Sequence, residues 1–167
     1  MKIAIVNRQR TKKIRSRPLR EMVAATFSEL AITEAELGIR LVGEKEMARV
    51  NGQFLQHEGS TDVITFDHTD PLADHDDTHR IHGELFICVD DAVTQAREFG
   101  TTWQAEVVRY TVHGILHLLG HDDLQAGPRR IMKRAENRLV RRLDKQFSFA
   151  QLGQPRKTKR RSADSGS

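Results

Sequence analysis

Cysteine is almost absent from this 167-residue chain: Cys88 stands alone. No intrachain disulfide can form, no disulfide-linked partner is expected, and a reducing cytoplasm is the expected compartment. Long apolar runs are lacking too. No stretch approaches the roughly 18 residues of a membrane-spanning helix, which argues against an integral helical membrane protein. The short apolar patch in MKIAIVNRQR is too short for the core of a secretory signal. Phe, Trp and Tyr number only nine together, so no row of base-stacking rings is on offer. What remains, 38% hydrophobic and 30% charged residues, is ordinary for one globular domain with a real core.

The net charge of +4 hides an uneven distribution. Residues 1–20 carry eight Lys or Arg and no acid, while residues 21–128 carry six bases against twenty acids. Residues 129–150 return to eight bases and two acids, and 151–167 add five bases and one acid. Basic segments bunched this way attract polyanions such as RNA. The alternative is that basic termini fold back over an acidic middle.

The pattern of elements is α+β. KIAIV (Lys2 to Val6), IRLV (Ile39 to Val42), DVITF (Asp62 to Phe66) and ELFICV (Glu84 to Val89) read as strands, the last two rich in β-branched and aromatic residues. A helix near Pro18 places Leu19, Met22, Val23, Phe27, Leu30 and Ala31 on one face. A short helix follows from Glu44 to Phe54. Asp90 reads as the N-cap of a helix through Phe99 that Gly100 ends; a Thr101- or Thr102-capped helix then runs to Leu119 and stops at Gly120. The last helix spans Pro128 to Asp144 with Ile131, Met132, Ala135, Leu139 and Leu143 inward. Asp67 to His82 is so rich in Asp and His that it reads as an exposed loop, a solvated flap beside the site. The domain is expected over residues 1–149, with a basic disordered tail over 150–167.

The chemistry concentrates in HGILHLLGHDD, His113 to Asp123. Two histidines four apart on a helix project from one face about 6 Å apart, and their ring nitrogens can converge on one Zn²⁺. His121 continues the series, but along a continuous helix it would lie about 12 Å from His113, too far to share an ion. Gly120 offers another route, since a left-handed glycine turns the chain back and lets a later residue approach from the other side. His121, Asp122 and Asp123 are the candidates for that third ligand.

HGILHLLGHDD resembles the signature HGxLHLxGxDH of the YbeY family of bacterial zinc-dependent endoribonucleases. STDVITF (Ser60 to Phe66) resembles that family's pTDVLSF, and GELFI (Gly83 to Ile87) its GDIxI. Asn51, and Met132 with Glu136, also resemble family positions; the matched blocks run from Asn51 to Leu139. The resemblance implies a single α+β domain, a small mixed four-stranded sheet with about five helices, and one zinc ion per chain on a central helix. It implies His113, His117 and Asp123 as ligands and Asn51, Thr61 and Asp62 toward substrate. It further implies maturation of the 3′ end of small-subunit rRNA and ribosome quality control, with ribosomal RNA and the small subunit as partners. Two positions depart from the pattern. Asp123 stands where the family usually has His, and Leu55 stands where it has a groove-lining Arg.

In such a nuclease a zinc-activated water attacks the phosphodiester of single-stranded RNA. Asp122, Glu84, Asp62 and Glu106 are the carboxylates considered as its general base, with none assigned. The segments Arg8 to Arg20 and Arg129 to Arg142 would hold RNA. HxxxHxxGxxD also resembles the metzincin protease signature, but Gly114 stands where that chemistry needs a glutamate. A third reading is a non-catalytic ribosome-associated RNA-binding protein with structural zinc. Cys88 reads as a small core residue, and Trp103 as a packing residue.

Overall fold

The computed structural model describes residues 1–55, 62–72 and 79–153, with only the backbone for Phe54 and Leu55. Thr61, His57, the loop residues Asp74, His75, Asp76 and Asp77, and the tail from 154 lie outside the described residues.

Four strands form one sheet: β1 (Lys2–Asn7), β2 (Glu34–Val42), β3 (Val63–Asp67) and β4 (Arg80–Cys88). Their order is β1-β2-β4-β3. The first three in that order run parallel, and β3 pairs antiparallel to β4. Five helices accompany them: α1 (Ser16–Glu29), α2 (Glu44–Val50), α3 (Val89–Phe99), α4 (Trp103–Leu118) and α5 (Ala126–Gln146). A π turn, Asn51–Leu55, extends α2, and a 3₁₀ turn, Phe149–Leu152, follows α5. No described helix is long and apolar enough to cross a membrane.

The pleat sorts the core. Leu37, Ile39, Leu41, Ile81, Leu85 and Ile87 face α1 and α4 in the main cluster, while Val42, Ile64 and Cys88 face α2 through Met47 and Val50. Each fully buried aliphatic side chain contributes about 1.5–3 kcal/mol. Helix α4 is buried on nearly every side, and two glycines let it sit close on the sheet. A Cβ on Gly114 would lie 2.7 Å from Leu85 Cδ2, and one on Gly83 would lie 2.8 Å from Leu118 Cδ2. Each glycine thus receives a leucine from the opposite element.

Several boundaries differ from the sequence reading. β2 begins at Glu34 rather than Ile39 and β4 at Arg80 rather than Glu84, because Glu34↔Arg80 to Val42↔Cys88 forms one unbroken ladder. Asp67 and Arg80 to His82 are therefore strand, not loop. Asp90 caps no helix of its own: α3 starts a residue earlier, and the Asp90 carboxylate instead accepts from the Glu44 N–H at the start of α2 (2.6 Å) and from the Thr11 hydroxyl. α1 stops at Glu29, and Ala31 is exposed with φ 55°. Ile131, expected inward on α5, is 61% exposed. Past Phe149 the chain stays packed through Leu152, which is fully buried and whose carbonyl accepts from the Arg15 N–H at 2.9 Å.

Candidate metal centre

The site is made by how α4 ends. Thr102 caps its start, the hydroxyl accepting from the Ala105 N–H at 3.1 Å. At its end Gly120 takes φ +97°, the Gly120 N–H donates to the His117 carbonyl (2.9 Å) and the His121 N–H to the Leu116 carbonyl (3.1 Å). This pair of reversed bonds ends a helix and folds the following chain back along it. The turn returns Asp123 to the face that carries His113 and His117.

Three donor atoms meet there. His113 Nε2 and His117 Nε2 are 3.1 Å apart, and Asp123 Oδ2 lies 3.6 Å from the first and 3.3 Å from the second. Ligands on a tetrahedral ion at 2.0–2.1 Å are about 3.3 Å from one another, so the triangle fits one face of such a site. The tautomers fit as well. His113 Nδ1–H donates to Glu136 Oε1 at 2.7 Å, and His117 Nδ1–H donates to the His121 carbonyl at 3.1 Å. A carboxylate and a carbonyl only accept, so each neutral ring turns an Nε2 lone pair inward. Two lone pairs and a carboxylate oxygen facing one point make a cation-binding donor set, and these residues could hold a metal ion.

Behind His113 lies a buried ion cluster that the sequence reading did not assign. Glu136 accepts from Arg109 Nη1 (2.6 Å) and Lys133 Nζ (2.9 Å) as well as from His113. Burial alone would raise its carboxyl, but those three hydrogen bonds win and hold it down to about 2. Burial in turn disfavours charge on His113, and the Glu136 carboxylate outweighs it and raises the ring. The signal was legible: a glutamate interrupts the apolar stripe Met132, Leu139, Val140 and Leu143.

A cleft of about 530 Å³ opens beside the trio, between α3, α4 and α5. His113, Asp123 and Asp62 line it, as do Arg129, Arg130 and Lys133 at the start of α5. Other expected site residues lie elsewhere. Asn51, the first residue of the π turn after α2, is 4% exposed and does not line the cleft. Glu84 points from the opposite face of the sheet to Arg40 Nε (3.3 Å) and His68 Nε2 (3.2 Å), so it cannot serve as a base at the trio. Asp122 Oδ1 accepts from the Leu124 N–H at 2.8 Å, and with His121 it borders a separate shallow pocket. His121 contributes its carbonyl, not its ring. Glu106 does line the cleft, its Oε1 accepting from the Thr101 hydroxyl at 2.7 Å. Of the basic N-terminal segment, Arg8 pairs with Glu46 at 3.1 Å, away from the cleft.

A central helix that presents two histidines, and a turn that returns an aspartate, at the edge of a cation-rimmed cleft define a metallohydrolase frame. The sequence profile of the family described as Endoribonuclease YbeY matches residues 4–144. An endoribonuclease YbeY from Bacteroides fragilis is 36% identical over 118 residues, 71% of this chain and 78% of that one. Another from Parabacteroides distasonis is 41% identical over 97 residues, 58% of this chain and 63% of its own. A Thermotoga maritima protein known from a solution structure superposes with a TM-score of 0.64 at 25% identity, covering 95% of this chain and 99% of that one. The chain belongs to the endoribonuclease YbeY family.

Proposed function

We propose that this protein is a zinc-dependent endoribonuclease that hydrolyses single-stranded RNA in the cytoplasm, where it matures the 3′ end of small-subunit rRNA and serves ribosome quality control. The endoribonuclease class comes with the family; the metal, the strand preference and the ribosomal substrate are the further reading. One observation carries it: His113, His117 and Asp123 converge at the mouth of a cleft rimmed by Arg129, Arg130 and Lys133. His113, His117 and Asp123 would hold the zinc ion, which would supply charge stabilisation at a phosphoryl oxygen and activation of water near neutral pH. The chain's own residues do the rest. Glu136 and the His121 carbonyl fix the two rings, the cations of α5 draw in the phosphate backbone, and Asp62 and Glu106 are the cleft carboxylates available to move a proton.

A metalloprotease would need a general base directly after the first histidine, and position 114 faces Leu85 in the sheet, where even a Cβ has no room. A purely structural zinc site is normally closed by four protein ligands. Among the described residues three side chains converge, and they are 29%, 25% and 39% exposed. The test is metal content beside cleavage of a single-stranded RNA. About one zinc per chain in the wild type is expected, with both zinc and cleavage lost in His117→Ala. Asp123→Asn weakens zinc binding while His121→Ala retains it. Stoichiometric zinc in His117→Ala refutes the ligand assignment, and zinc without cleavage of any RNA refutes the nuclease reading.

A further inference from the structure

The cleft continues past the trio. Tyr110 lies one turn and Glu106 two turns before His113 on the same face of α4, about 4.5 and 10.5 Å along the axis. Gln95 of α3 and Asp62 at the start of β3 close this inner end. Tyr110 is only 4% exposed, and among the described residues its hydroxyl is a buried side-chain polar atom without a hydrogen-bond partner. Leaving such a group unpaired is unfavourable, so an occupant of the cleft that pairs with it is favoured. Burial, with the negative charge of Asp62, Glu106 and Asp91, pushes the phenol up and keeps it a donor. The inner end therefore offers one phenolic donor, an amide that can donate or accept, and two carboxylates that only accept. Its outer rim is cationic, and Met132 supplies an apolar wall.

We propose that this inner end seats a nucleobase of the RNA strand beside the scissile phosphate, and that Tyr110, Gln95, Asp62 and Glu106 select a base bearing an exocyclic amine over uracil. The proposal rests on the endoribonuclease reading above and names a specificity subsite within it. Guanine, adenine and cytosine each present an acceptor and, through the exocyclic amine, at least two N–H donors. That set matches a phenol beside carboxylates, and guanine's adjacent N1–H and N2–H groups match one carboxylate in two parallel bonds. Uracil presents a single N–H between two carbonyl oxygens. Seated here, it offers a donor to only one of the two carboxylates and leaves the other unpaired. A site built of buried hydrogen-bonding groups rejects a ligand that leaves them unpaired far better than an apolar pocket rejects a missing methylene. The volume suits one nucleotide, being within the range of small-ligand clefts. The distance from the trio to Glu106 puts the phosphate at the metal end and the base at the inner end.

The experiment has a binding arm and a cleavage arm, both on the full chain with its zinc. GMP, AMP, CMP and UMP are titrated calorimetrically; their phosphates are identical, so differences report the base. GMP binds at least tenfold tighter than UMP, and Tyr110→Phe narrows that ratio about three- to tenfold with zinc stoichiometry unchanged. In a degenerate single-stranded RNA, mapped cut sites are depleted of uridine at one position next to the broken bond, and the depletion relaxes in Tyr110→Phe and in Gln95→Ala. Equal binding of the four nucleotides overturns the subsite, as does a preference that both variants retain. Base-selective binding without cleavage of any RNA keeps the subsite and refutes the nuclease reading. Cleavage without base preference does the reverse.

Discussion

A glutamate that is 3% exposed, on a helix face otherwise made of Met132, Leu139, Val140 and Leu143, is stable only with partners. Glu136 has three, and the histidine among them points its other nitrogen at the metal position. The carboxylate fixes the ring's tautomer and raises its basicity as a ligand. Glu136→Gln accordingly weakens zinc binding about 10- to 100-fold, read by competition against a chromophoric chelator, although no atom that would touch the ion has changed. Cys88 shows what burial does where the neighbouring charges are carboxylates and no cation offsets it. Fully enclosed beneath α2, its thiol is pushed up to about 12 by burial, from an ordinary value near 9.0. A raised folded-state value favours the protonated thiol, so its contribution to stability is complete below pH 9 and is lost as pH climbs toward 12. The stability difference between wild type and Cys88→Ala in urea therefore shrinks over that interval. At pH 8 a thiol reagent labels the wild type only as fast as the protein unfolds.

At the scale of elements, the seat of the metal helix is a pair of glycine–leucine exchanges between α4 and β4, Gly114 under Leu85 and Gly83 under Leu118. Gly114→Ala costs about 1–3 kcal/mol from overpacking, and Leu85→Ala about 2–5 kcal/mol from the cavity it leaves. Together they cost less than the sum, since each relieves the other's misfit, and urea unfolding of the four proteins measures the difference. These elements were legible to different degrees. HxxxH followed by Gly120 announced both the shared face and the turn, because a helix repeat and a left-handed glycine are local properties. The first turns of β2 and β4 were not announced. Arg80 and His82 read as polar loop, and Glu34 and Glu36 fell before the expected strand, until their pairing in one ladder shows that Ala35, Leu37, Ile81 and Gly83 alternate with them toward the core. Asp90 was misassigned for a related reason. It stands where a helix cap would, but its partner is the start of α2, 46 residues away in sequence. The Glu136 cluster likewise joins α4 to α5, and nothing within either helix alone specifies that meeting.

At the scale of the whole molecule, the charge pattern gains a direction. The acids of the middle segment are spent partly in ion pairs with nearby bases, such as Arg8 with Glu46 and Arg142 with Glu29. Arg129 and Arg130, with the Glu136-paired Lys133, meet at the cleft, where a phosphate backbone would run past the metal position. The C-terminal segment adds five bases and one acid over residues 151–167, and only its first three residues are described, packed against the core through Leu152. These two parts separate in a truncation experiment. A chain ending at Gly153 keeps the wild-type urea midpoint, whereas one ending at Ser148 loses Leu152 and about 2–5 kcal/mol of stability. RNA affinity answers a different question. Each phosphate that the tail neutralises on a single strand adds about 0.7 to the steepness with which log K falls against log salt. Removing residues 154–167 therefore weakens binding at low salt and flattens that slope, and the flattening divided by 0.7 counts the tail's phosphate contacts. An unchanged slope in the shortened protein would leave the electrostatic grip to residues 1–153, among them the cations of α5 that the fold already holds against the cleft.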